Sequence, residues 1–181
     1  MMDDHKYPAL AKSDKELLHD IMALLSERVK ENAYSDDGSF AAAISGLPVG
    51  LRAMAATHHL DVSLAIDDIG WHFLNFGEPH LVEQTKAGLR ELGMNDLAEW
   101  FTEAHAIMLQ FSKAAEAGEF ESSGDDYPDW LVMSGNEHRI DMLSKLAWDK
   151  NKASKGNGTG SAIYDAWISY ARAKPENVFR G

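Results

Sequence analysis

The run 61-DVSLAIDDIGWHFLNFGEP-79 decides how this chain folds. It sets the adjacent aspartates Asp67 and Asp68, His72, Asn75 and two glycines into an otherwise apolar segment. On a helix of about 3.6 residues per turn, Val62, Ile66, Ile69, Phe73 and Phe76 share one face, spaced four, three, four and three. Leu64, Trp71 and Leu74 cover much of the opposite side. A helix apolar on two sides belongs in the middle of a bundle. One continuous helix, capped by Asp61 and running to Phe76, is therefore expected at the centre of the molecule. Asp61, Asp68, His72 and Asn75 fall on a narrow strip between the apolar faces. That strip is either a solvent edge, which any packed helix shows, or the floor of a ligand cleft. Gly70 adds a second expectation: a mid-helix glycine costs about 0.5–1 kcal/mol relative to alanine, which the close approach of a neighbouring helix would offset.

Helical signals continue on both sides. Ser13 and Glu16 have the spacing of a capping box, followed by Leu17, Leu18, Ile21, Met22, Leu25 and Val29 at helical intervals to about Asn32. "YSDDGS" (34–39) reads as a turn, and Phe40–Ser45 as a short alanine-rich helix. Pro48 suits the first position of a helix ending near His59. Pro79 opens another, through Leu92, that Gly93 closes. Asn95 or Asp96 caps a helix to about Ala117, whose stripe is Leu97, Trp100, Phe101, Ala104, Ile107, Met108 and Phe111. Residues 118–134 read as an acidic loop, and Asn136–Lys152 as a helix. "KASKGNGTGS" (152–161) has the composition of a flexible loop, over about 153–160. A last helix carries Ile163, Trp167, Tyr170 and Ala171 and stops at Pro175. Alternating strand patterns are scarce and no repeat is visible. The expected fold class is all-α: a compact bundle of six to eight helices forming a single domain over residues 1–181.

The chain has 17 basic and 29 acidic residues, for a net charge of −12. The excess is local. Between Glu91 and Glu137 stand eleven acids and one base, Lys113. The final stretch from Arg139 is net basic. Phosphate repels such a surface, so direct nucleic-acid contact is not expected, whereas basic protein surfaces are attracted. There are no cysteines, which excludes a disulfide scaffold, thiolate-ligated zinc and a cysteine nucleophile. A cytoplasmic setting is expected, with neither signal peptide nor membrane span.

Catalytic constellations are thin. The sequence holds no Gly-x-Ser-x-Gly elbow and no His-Glu-x-x-His. Glu16-x-x-His19 is half of a di-iron motif whose other half is missing. Asp68 and His72, four apart, supply two ligands, too few for a structural metal site. His58 and His59 point to different faces of a helix. "GNGTG" (156–160) lacks the lysine and spacing of a phosphate-binding loop. Asp67 and Asp68 lie about 100° apart on a helix, poor geometry for a shared proton. No metal, cofactor or catalytic residue is assigned.

Three segments carry a likeness to a known family: "LDVSLAIDDIGWHFLNFG" (60–77), "QTKAGLRELGMNDLAEWFTEAHAIM" (84–108) and "IYDAWISYARAKPENVF" (163–179). Over roughly Leu47 to Arg180 the chain resembles a bacterial all-helical family of unknown function that includes a DNA-mimic protein. Where that family shows Asn-Gly-Gly-Phe, this chain reads Asp68-Ile69-Gly70-Trp71. The resemblance implies an all-α protein, able to form a homodimer, that occupies a DNA-binding protein by presenting carboxylates where phosphates would sit.

The residues allow the same reading. Asp96, Glu99 and Glu103 form a row beside the apolar stripe of their helix, about 5 Å apart per turn. Glu91 precedes the row, and Glu116, Glu119, Glu121, Asp125, Asp126 and Asp129 extend it. The leading expectation is a non-enzymatic acidic binding protein that engages a basic protein surface. The alternatives are an immunity or antitoxin-like inhibitor of a toxin, and a small enzyme or ligand-binding protein using Asp61, Asp68, His72 and Asn75.

Overall fold

The computed structural model describes residues 7–120, 124–154 and 159–180. After a short 3-10 turn at Pro8–Ala11 come ten α-helices among the described residues: α1 (Asp14–Arg28), α2 (Ser39–Ser45), α3 (Val49–Ile66), α4 (Ile69–Phe76), α5 (Pro79–Glu91), α6 (Asn95–Glu116), α7 (Tyr127–Ser134), α8 (Glu137–Lys152), α9 (Ala162–Ala173) and α10 (Glu176–Phe179). No strand occurs among these residues. None of the helices is long and apolar enough to cross a membrane. The all-α expectation holds, with more helices than the six to eight anticipated.

Local chemistry sets most helix ends. The Ser13–Glu16 capping box is formed in both directions at the start of α1. Pro48 caps α3 from just outside rather than occupying its first turn. Pro79 sits in the first turn of α5, where its missing amide hydrogen costs nothing. Glu78 accepts hydrogen bonds there from the backbone amides of His80 and Leu81. Met94, and neither Asn95 nor Asp96, precedes α6. Part of the expected acidic loop is helical, because Pro128 falls in the first turn of α7 and so opens a helix. The described part of the glycine-rich loop includes Thr159, which is buried; its residues 155–158, and Glu121, lie outside the described residues.

The central stretch departs most from expectation. Asp61 does not cap a helix; it is a buried residue inside α3. The helix ends at Ile66, Asp67 is extended (φ −150°, ψ −177°), and Asp68 starts α4. The Asp68 carboxylate accepts from the amides of Gly70 (2.6 Å) and Trp71 (3.0 Å). Short carboxylate side chains compete with the helical ladder for backbone hydrogens, and two in succession break it. The apolar face consequently splits. Ile69, Phe73 and Phe76 are buried, while Val62 is exposed and Ile66 is 79% exposed.

α3 is the hub of the bundle, touching α1, α2, α4, α5, α8, α9 and α10. Its tightest neighbour is α5, at Gly88. A side chain there would stand 3.0 Å from the Ala53 carbonyl oxygen and 3.1 Å from its Cα, so only glycine lets the two backbones touch. Gly70 has the neighbour expected of it: an added Cβ would lie 1.8 Å from the Tyr127 hydroxyl on α7. One continuous hydrophobic cluster draws residues from all ten helices. A polar pin crosses it, where the Trp167 indole donates to Thr57 Oγ1 at 3.0 Å and the Thr57 hydroxyl donates to the Ala53 carbonyl at 2.8 Å.

Candidate functional site

The break at Asp67 disperses the four residues of the expected strip. Asp61 turns toward α8 and α9, accepting from Asn151 Nδ2 at 2.8 Å and lying near the Tyr164 hydroxyl. Asp68 is taken up in the cap of α4 and in a 3.3 Å hydrogen bond from Tyr127. Burial pushes its carboxyl above the ordinary range, partly offset by those donors. His72 is 1% exposed and bonds Ser63 Oγ through Nδ1 at 3.0 Å. The Ser63 hydroxyl also lies 2.9 Å from the His59 carbonyl, which it can reach as a donor. Asn75 is exposed and donates to the Trp71 carbonyl. These four do not form one ligand surface.

His72 belongs instead to an aromatic cluster. Its ring lies 5.3 Å from Phe76 and 5.4 Å from Phe101, and His59 stacks on Phe76 at 4.6 Å. Burial lowers His72 to about 3 and His59 to about 4. These histidines are packed neutral, as aromatic wedges. Among the described residues, no three histidine, aspartate or glutamate side chains converge as a metal site would require.

The acidic stretch divides into two halves. Along the end of α5 and the first half of α6, bases from the chain's last quarter fold back onto the acids. Lys150 pairs with Asp96 at 3.0 Å, Arg139 pairs with Glu103, and Lys174 reaches Glu91 at 3.4 Å. Glu91 also accepts from the Tyr170 hydroxyl at 2.5 Å, which with Lys174 holds its carboxyl below the usual range. Of the phosphate-like row, Glu99 alone has no ion pair among the described residues.

The second half is different. Glu116, Glu119, Asp125 and Asp129 form no ion pair among the described residues. Asp126 precedes α7, and Asp129 lies in its first turn; negative charge there favours the helix dipole. Glu116 closes α6 and Glu119 follows it, where the dipole is itself negative and anions are unfavourable. Lys113 is the one base in that turn. Phe111 packs on Tyr127 at 5.8 Å and on Trp130 at 5.2 Å, which fixes α7 against this end of α6.

The structure also adds acids that the sequence did not single out. Asp36 and Glu78 join Glu116 around a cleft of about 480 Å³ whose apolar lining includes Phe73, Leu74 and Phe111. Asp36, Asp37, Glu78 and His80 line a second, adjoining cleft of about 400 Å³. "YSDDGS" marks a turn by composition, and nothing local in it indicates that the turn folds against α6. The only signal for Glu78 was its place before Pro79, where it caps α5.

The described residues form a helical bundle in which Glu91, Asp96 and Glu103 are paired with bases, while Glu116, Glu119, Asp125 and Asp129 are not. No family model, no curated protein and no solved structure matches the chain.

Proposed function

We propose that this protein is a non-enzymatic binding protein whose acidic end, around Glu116, Glu119, Asp125 and Asp129, engages a basic surface on a protein partner. The observation that carries the reading is the pair Glu116 and Glu119. They stand at the negative end of α6 without ion pairs among the described residues, and Glu116 lines a cleft with an apolar floor that Asp36 and Glu78 also line. Helix electrostatics disfavours acids at that position, so a role outside the fold accounts for them better than a role inside it. Long basic side chains suit such a cleft: their alkyl stems cover apolar surface while their heads meet carboxylates. The resemblance to a family that includes a DNA mimic extends the proposal to a DNA-binding partner. On that reading the mimicry resides at this end, because Asp96 and Glu103 are already matched by Lys150 and Arg139. An immunity-type inhibitor of a basic toxin would use the same surface. A basic toxin encoded beside this gene, bound through the same carboxylates, would favour that version.

The test is capture of basic proteins by wild type and by a triple reversal, Glu116→Lys, Glu119→Lys and Asp125→Lys. Wild type should retain basic proteins at low salt and release them to added salt and to duplex DNA, and the reversal should retain none. Equal capture by both proteins would remove the proposal.

A further inference from the structure

A separate cleft, of about 230 Å³, lies between the C-terminal half of α3, the end of α8 and the start of α9. Asp61 lines it and is 8% exposed. Its hydrogen-bond partner is neutral, the Asn151 amide at 2.8 Å, and the neighbouring Tyr164 hydroxyl is uncharged too. It forms no ion pair among the described residues. The Tyr164 hydroxyl also lies 3.1 Å from His58 Nδ1, and burial holds that imidazole below its ordinary range. A carboxylate this deeply buried is costly unless a cation offsets it.

The rest of the cleft is lined by the Lys152 cation, by aromatic rings and by the loop at 159–161. Trp148, 42% exposed, and Tyr164 give it aromatic walls. The Trp148 ring already attracts an ammonium group, since Lys152 Nζ lies 3.8 Å from its centroid. Asn151 is locked in orientation, because its Oδ1 accepts from the backbone amide of Ile163 at 3.1 Å while its Nδ2 serves Asp61. The carboxylate is thus held by fixed groups on two other helices. An anion would meet Asp61, and a metal would find too few ligands. The volume falls below the roughly 300–1,000 Å³ of drug-sized pockets.

We propose that this cleft binds a small organic ammonium compound, with the cationic nitrogen at Asp61 and its alkyl body against Trp148 and Tyr164. The proposal is independent of the acidic end. Glu116 has no part in it, and the two sites fail or succeed separately.

The experiment titrates propylammonium, putrescine and choline, with glycerol as an uncharged control, into the whole protein by calorimetry, with thermal shift as a second readout. At least one amine should bind at millimolar concentration or better, and glycerol should not. Asp61→Asn keeps the shape and removes the charge; it should weaken binding by more than about tenfold, the worth of a charge-assisted hydrogen bond. Trp148→Leu alters a half-exposed wall and leaves the core intact; it should weaken binding about three- to fivefold. Lys152→Ala removes the internal competitor for the indole and should tighten binding. If Asp61→Asn does not fold, the Trp148 and Lys152 variants still decide. The proposal is overturned if no amine binds, if glycerol binds as well as the amines, or if the folded Asp61→Asn or Trp148→Leu protein binds like wild type.

Discussion

Lys150 of α8 holds Asp96 of α6 at 3.0 Å, across 54 residues of sequence. With Arg139 on Glu103 it turns a row of carboxylates into a neutralised flank. Both pairs are substantially exposed, so solvent screens them and each contributes at most about 0.2–1 kcal/mol. Replacing Lys150 and Arg139 by alanine should therefore leave the urea midpoint nearly unchanged. It should also uncover two carboxylates and speed association with a basic partner at low salt. A large loss of stability would show that the pairs are structural, and an unchanged on-rate would show that the flank lies outside the binding field.

Gly70 has no room for a side chain against α7. Alanine would bring its Cβ to 1.8 Å from the Tyr127 hydroxyl and 2.7 Å from Cζ, and Tyr127 is itself buried. Gly70→Ala should cost about 1–3 kcal/mol in denaturant unfolding, the range of overpacked cores. Tyr127→Phe in the same chain removes the clashing oxygen and should restore part of that loss. A neutral Gly70→Ala would mean that α7 is not seated as described.

Buried histidines make the fold acid-sensitive. His72 drops from 6.5 to about 3 and His59 from 6.5 to about 4 on folding, both chiefly through burial. Below about pH 6.5 the unfolded chain takes up protons that the folded chain refuses, so stability falls as pH falls, down to about 4 for His59 and about 3 for His72. The melting temperature should decline from pH 6.5 to pH 4 more steeply in wild type than in His72→Phe. Phenylalanine removes the titration and leaves the Ser63 hydroxyl bonded to the His59 carbonyl. Identical pH profiles would contradict the buried, neutral assignment.

The pin through the core should be costly to break. Thr57→Val keeps the volume of the side chain and removes the acceptor of the Trp167 indole, whose ring is fully buried. An unmet buried donor costs about 1–3 kcal/mol. The urea midpoint should shift accordingly, and the tryptophan emission should change with it.

Much of the fold was legible because local chemistry decided it. Ser13 with Glu16, and Pro79 with Gly93, announce helix ends by the hydrogen bonds they make or cannot make. The break at Asp67 was not legible from periodicity, because Ile66, Ile69, Phe73 and Phe76 stay in helical step across it. Two adjacent aspartates outweighed that pattern by taking backbone hydrogens for their own side chains. α7 was hidden because Pro128 breaks a helix in one position and starts one in another. The acidic stretch was visible as a count and not as a surface. Its partners Arg139, Lys150 and Lys174 lie 36, 54 and 83 residues away from the acids they meet. No local pattern encodes which half of a charge run the folded chain will neutralise.

The most direct test of the central claim compares two reversals in one binding assay with a basic partner over a salt series. One protein carries Glu116→Lys, Glu119→Lys and Asp125→Lys; the other carries Asp96→Lys and Glu103→Lys. The acidic end predicts that the first loses affinity by orders of magnitude and loses most of its salt dependence, while the second loses at most about tenfold, through the slower association its altered long-range field imposes. Equal losses in both, or a loss confined to the second, would contradict it.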